Sequence, residues 1–170
     1  MHPPGTVRAP PADTENTLDT PITPPPARDL RGPDDVAEMV RRFYRDVAQD
    51  DLLGPMFNDV ARVDWSEHLP KLTAFWCRAL FGTPGYAGNP YRAHQLVHAQ
   101  RAFTAAHFER WLDLFFDTVD LGWAGPNADK AKALASSVAR VHCAQLVDGS
   151  RAPLILGARG DDTAGSIRCR

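Results

Sequence analysis

Trp65–Ser–Glu–His68–Leu–Pro–Lys71–Leu72–Thr–Ala–Phe75–Trp76 decides how this chain is read. With Ala79 and Leu80 it places Trp65, Leu69, Leu72, Phe75 and Trp76 at helical spacing, an apolar stripe meant for a core. His68 shares that face, beside two tryptophans and a phenylalanine, although it is a group that titrates near neutral pH. Asp64 with Glu67 three residues on predicts a capped start, and Pro70 close to the first turn predicts a tight or kinked one. Beyond the break Gly82–Thr–Pro–Gly–Tyr–Ala–Gly–Asn–Pro90, which cannot continue a helix, stands a second histidine, His94.

Helical periodicity extends in both directions from this stretch. Upstream, Val36, Met39, Val40, Phe43, Tyr44 and Val47 form one stripe, with Asp35 and Glu38 as a capping box and a stop near Leu52–Leu–Gly54–Pro55. Downstream, a short helix from Tyr91 to about Ala99 carries His94. A longer one starts near Thr104 and sets Phe108, Trp111, Leu112, Phe115 and Val119 on one side. The last runs from about Asn127 to Val147 through Ala131, Leu134, Ala135, Val138, Val141 and His142. No alternation of period two competes, so the class is all-α.

The chain of 170 residues suits one domain with a real core. Residues 1–33 hold nine of the fifteen prolines and few large apolar groups, so they are expected to be a disordered tail. Residues 34–147 are the domain, and 148–170, rich in Gly, Arg and Asp, are expected to be flexible. A net charge of −2 gives no electrostatic case for nucleic acid. Three widely spaced cysteines without a CxxC pair argue against a disulfide framework or a thiolate zinc site, and Cys77 and Cys143 read as small buried hydrophobes. The N-terminal stretch has no apolar run of a signal peptide, and no uncharged run could span a bilayer, so the expected location is cytoplasmic, with no membrane partner.

Considered singly, His94 reads as a surface histidine and His68 as a boundary one. Together, on facing elements of a small helical domain lined with aromatics, they are what a buried haem needs. A proximal ligand should leave a short helix, and the glycine-rich loop frees the His94 segment to lie beneath a porphyrin. His98, four residues on, is the rival ligand.

At this point the chain resembles a known family. Phe43–Tyr44–Arg–Asp–Val47 with Asp51–Leu–Leu–Gly54–Pro55–Met–Phe57–Asn58 resembles the start of a group III truncated haemoglobin. So do the Trp65–Trp76 stretch, Leu80–Phe–Gly82–Thr83 with Tyr86–Ala–Gly88–Asn89–Pro90, His94–Gln–Leu96, and His107–Phe108–Glu–Arg–Trp111–Leu112–Asp–Leu–Phe115. The blocks keep their order from about Asp35 to Leu146. The resemblance implies a truncated globin-like fold, two helices packed across two, around one haem b. It implies His94 as the iron ligand, with Tyr44, His68 and Trp111 on the distal side. Phe57 would pack on the porphyrin edge, Leu72 on its distal face and Lys71 near a propionate, with Phe43 and Phe108 completing the lining.

Donors aimed at a gas on ferrous iron stabilise the charge that it gains. Tyr44 offers an O–H, Trp111 an indole N–H and His68 an N–H in one tautomer. Each such bond contributes about 1.5–3 kcal/mol, a factor on the order of 10–100 in release. Two of them would hold O2 too tightly for delivery. The expected role is therefore chemistry on bound O2, NO or CO, either NO detoxification or a peroxidase-like step, with a reductant supplied by an unidentified partner. Three other readings stand beside it. His94 and His98 could bind a metal without haem, helped by His107 or Glu109. The fold could be a helical interaction domain whose leader, with Pro21–Ile–Thr–Pro24, engages a partner. Tyr44 and Trp111 could be plain core aromatics, Lys71 an exposed residue without a role, and His68 an outward-swinging gate.

Overall fold

A computed structural model describes residues 28–149, and the outer parts of the two expected tails lie outside that range. Five α-helices follow in order: α1 Pro33–Gln49, α2 Trp65–Phe81, α3 Pro90–Gln100, α4 Ala105–Gly122 and α5 Pro126–Leu146. Between α1 and α2 lies a π-helical turn, Met56–Val60. No strand forms among the described residues, only an isolated parallel bridge from Arg28 to Trp123.

The four long helices pack as two pairs. α1 lies on α2 and α4, and α5 lies on α4 and α2, so each layer contributes two helices. α3 stands apart and packs mainly on α5 and the π turn, which leaves one end of the sandwich walled by a short, thinly packed element. The core repeats the stripes read from the sequence. Val36, Met39, Val40, Phe43 and Val47 of α1 meet Trp76 and Leu80 of α2, Phe115 and Val119 of α4, and Ala131, Ala135 and Ala139 of α5. Alanines on the inner face of α5 let that helix approach closely. Phe115 stacks on Trp76 at 4.8 Å and on Trp111 at 5.5 Å, which puts an aromatic column through the middle.

The start of α1 differs from the expected capping box. Gly32 is the cap residue and has no side chain to cap with, while Pro33 supplies the helical φ at the first position. Asp35 instead accepts from the Arg31 amide at 3.0 Å and pairs with Arg28 at 2.6 Å, while Glu38 is taken by Arg41 and Arg42. α2 keeps half of its predicted box. Asp64 accepts from the Ser66 and Glu67 amides, but Glu67 pairs with Lys71 rather than returning to the cap. Pro70 is accommodated inside α2, and Gly82, at φ 71°, ends it in a left-handed cap.

The domain also begins earlier than the proline content implies. Leu30 is fully buried, and Asp29 accepts from the amides of Asn127 and Ala128, capping α5 from a distance in sequence. Residues 28–33 are therefore part of the packed unit and not of a tail. Cys77 is buried and free, as expected; Cys143 is buried but disulfide-bonded, which the wide spacing does not suggest.

Candidate functional site

Phe43 and Tyr44, adjacent on α1, both point inward because α2 and α4 cover that helix on two sides. Phe43 meets Tyr44, Trp111 and Phe115 edge-on at 4.6, 5.3 and 5.1 Å. The Trp111 indole, which can donate but not accept, stands beside Tyr44 and favours the ionised form of its phenol. Tyr44 keeps its own proton as a free donor. Burial pushes its phenol well above the ordinary range, and the Trp111 indole offsets only part of that, so Tyr44 stays protonated.

The π turn carries Phe57 into this group. Phe57 stacks on Trp65 at 5.9 Å and meets Tyr44 at the same distance. Gly54 makes the turn possible, because a side chain there would strike the Ala48 carbonyl, which accepts from Asn58 at 2.9 Å. His68 sits half-buried with its ring 6.2 Å from Tyr44 and 6.1 Å from Trp65. Desolvation lowers its pKa, and the charges of Lys71 and His94 lower it further, so it is a neutral imidazole at neutral pH. Leu72 packs against the core one turn on. Lys71 is exposed and lies 3.4 Å from Glu67.

On the other side stands His94, with the Asn89 side chain capping its helix. Its Nδ1–H donates to the Pro90 carbonyl at 2.6 Å, which fixes the tautomer and leaves Nε2 as a bare lone pair. Burial holds its pKa below the ordinary value, against the pull of that bond, so the ring is neutral and able to ligate. His98 and His107 are oriented the opposite way. The Phe103 amide donates to His98 Nδ1, and the Thr104 amide donates to His107 Nδ1, both at 3.1 Å. Each then carries its proton on Nε2 and has no lone pair left for a metal. No group of three or more metal-ligating side chains forms among the described residues.

Three residues absent from the sequence-derived site line it as well. Trp65 joins the distal aromatics, Phe103 lies 6.0 Å from His94 and 5.6 Å from Phe108, and His142 of α5 lies 4.8 Å from His94. His142 sits on the apolar stripe of the last helix, and a histidine on a buried face was the available signal.

A sequence model of the family described as Bacterial-like globin matches residues 29–143. The chain belongs to that family. This globin is 33 % identical over 89 residues to the group 3 truncated hemoglobin ctb of Campylobacter jejuni, covering 51 % of this chain and 68 % of the relative. The crystal structure of a group III truncated hemoglobin from Campylobacter jejuni superposes with a TM-score of 0.65 at 26 % identity, over 73 % of this chain and 98 % of that one. The expected group III truncated haemoglobin and its all-α globin fold are thus borne out. As a globin the protein binds haem and a diatomic gas such as O2, and the non-haem readings lose their ground.

The residues fit such a group. A bare imidazole nitrogen at His94 stands close enough to His68 for charge on one ring to depress the pKa of the other. Phe43, Phe57, Leu72, Phe103 and Phe108 belong to the same core or pack against it, with Phe57 next to Tyr44 and Phe103 next to both His94 and Phe108, the apolar lining that a porphyrin requires.

Proposed function

We propose that this globin holds haem b through His94 Nε2 and retains its gaseous ligand for reaction instead of delivering it. The observation that carries the reading is the buried, protonated Tyr44 hydroxyl among aromatic rings, with the donor-only Trp111 indole beside it. Haem, when bound, supplies an iron centre that takes a diatomic gas and exchanges electrons with it.

In this reading Tyr44 is the principal donor to that gas. Trp111 orients the phenol and, by donating to its oxygen, makes its proton a stronger donor. This differs from two independent donors, because the indole hydrogen is already engaged. His68, neutral and half-buried, adds a second bond in this reading or admits ligand by moving outward. Phe43, Phe57, Leu72 and Phe108 exclude water from the reacting face, which strengthens the donor bond. O2, NO and CO binding is paired in this reading with an external reductant. Lys71 would meet a propionate only by leaving Glu67, an exposed pair of little strength.

NO detoxification and a peroxidase-like step both use this arrangement. Stopped-flow kinetics of the ferrous protein with O2, NO and peroxide tests the proposal. A productive reaction of the O2 form with NO, or of the protein with peroxide, is expected. Rapid O2 release with neither reaction would overturn it. No helix among the described residues is long and apolar enough to cross a membrane, and a cytoplasmic location is part of the proposal.

A further inference from the structure

The geometry points to His142 as a second imidazole ligand for the haem iron on the His94 side, an inference that rests on the haem reading above. His142 comes from α5 and His94 from α3, two helices packed on each other. Their rings are 4.8 Å apart at the centroids and inclined at 47°.

The two histidines are bonded alike. His142 donates Nδ1–H to the carbonyl of Val138, four residues back on its own helix, at 2.8 Å. His94 does the same to Pro90, also four residues back. A carbonyl accepts only from a protonated Nδ1, so each ring presents Nε2 as a bare lone pair, the state that an iron ligand requires. The other two histidines of this region, His98 and His107, are held in the opposite tautomer by backbone amides. Of the four histidines on this side, His94 and His142 are thus fixed in the ligating tautomer.

His142 Nε2 is also unsatisfied. The residue is 8 % exposed, and that nitrogen is fully buried with no hydrogen-bond partner. The rings facing it belong to His94 and to Tyr91, at 5.8 Å. A buried imidazole nitrogen with nothing to accept from is uncommon in a folded protein and marks a group waiting for a partner. Packing alone would be served by leucine or phenylalanine at this position. Exchange of His94 for His142 replaces one neutral nitrogen lone pair with another. One iron–nitrogen bond breaks, one forms, and no proton or electron moves.

The test uses the full chain reconstituted with haem as wild type, His94→Gly, His142→Leu and the double variant. The axial ligand is read in the ferrous state from the iron–imidazole stretching band in the resonance Raman spectrum. The band is expected in wild type, in His142→Leu and in His94→Gly, and is expected to be lost in the double variant. Added imidazole should restore it there, which shows that the pocket still folds. If His94→Gly shows the band only after imidazole is added, His142 does not reach the iron and the proposal is overturned. Persistence of the band in the double variant without imidazole overturns it as well, by assigning the ligand elsewhere. A wild-type protein that takes up no haem and shows no Soret band overturns the haem reading itself, a result distinct from failure of His94→Gly alone.

Discussion

Trp111 of α4 stands beside Tyr44 of α1, both rings packed round Phe43, with its indole N–H the group that eases the ionisation of the Tyr44 phenol. In the proposed function the indole steadies the phenol and the phenol hydrogen meets the ligand. The two substitutions should have unequal effects. Tyr44→Phe removes the donor and should speed O2 release by about 10–100-fold. Trp111→Phe keeps the stack on Phe115 but frees the phenol to rotate, so its effect should be smaller and in the same direction. Flash photolysis or stopped-flow displacement measures both, and off-rates unchanged in the two variants would refute the donor assignment.

Burial sets the acid stability of the haem-free protein. His68, His94, His107 and His142 all have pKa values pushed below the ordinary 6.5, with desolvation the largest cause for each. As pH falls the unfolded chain takes up protons on these rings before the folded one does. Their contribution is complete above 6.5 and is lost as pH drops through the depressed folded values. The urea midpoint of the haem-free protein should therefore decline between about pH 7 and about pH 5. A midpoint that rises over this range would contradict the burial of these rings.

Phe115 is fully buried and touches Phe43, Trp76 and Trp111. Phe115→Ala should destabilise the domain by about 3–5 kcal/mol, since a column of stacked rings cannot collapse into the space left behind. Denaturant unfolding monitored by helix content would register it, and a loss below 1 kcal/mol, about the cost of a surface change, would show that the column is not central.

Much of this architecture was legible in the sequence because long amphipathic stripes carry their own register. The stripe from Val36 to Val47, the start of α4 after Thr104 and the loop from Gly82 to Pro90 all stand where periodicity and helix breakers put them. What escaped the sequence depends on contacts distant along the chain. Asp35 offered a capping partner three residues on, yet its carboxylate is satisfied by Arg31 and Arg28. His107 occupies the place of the usual acidic residue in the cap of α4, a role its residue type does not advertise. For the site, residue type and order point to His94, Tyr44 and Trp111. The tautomers that separate His94 and His142 from His98 and His107 become readable only when each Nδ1 has a partner.

Asp29 ties the first described residues to the start of α5. Burial would raise its pKa, but the amides of Asn127, Ala128 and Leu30, with Arg31 nearby, hold it lower than an ordinary carboxylate. Asp29→Ala should cost about 1 kcal/mol, as loss of a helix cap does, and Asp29→Asn less. Thermal unfolding compares the two, and equal stability of wild type and Asp29→Ala would show that the Asn127 side chain, bonded to the Leu30 carbonyl, suffices alone.

The π turn at Met56–Val60 winds with about one residue more per turn than α geometry would need. Deleting a single residue there, Asp59 for example, would relax the segment to ordinary α geometry and rotate what precedes or follows it by ~100°. Phe57 would then swing off Trp65 and Tyr44 while every other helix kept its place. An indel of one codon, silent by the standards of most surface loops, would in this protein open a hydrophobic wall.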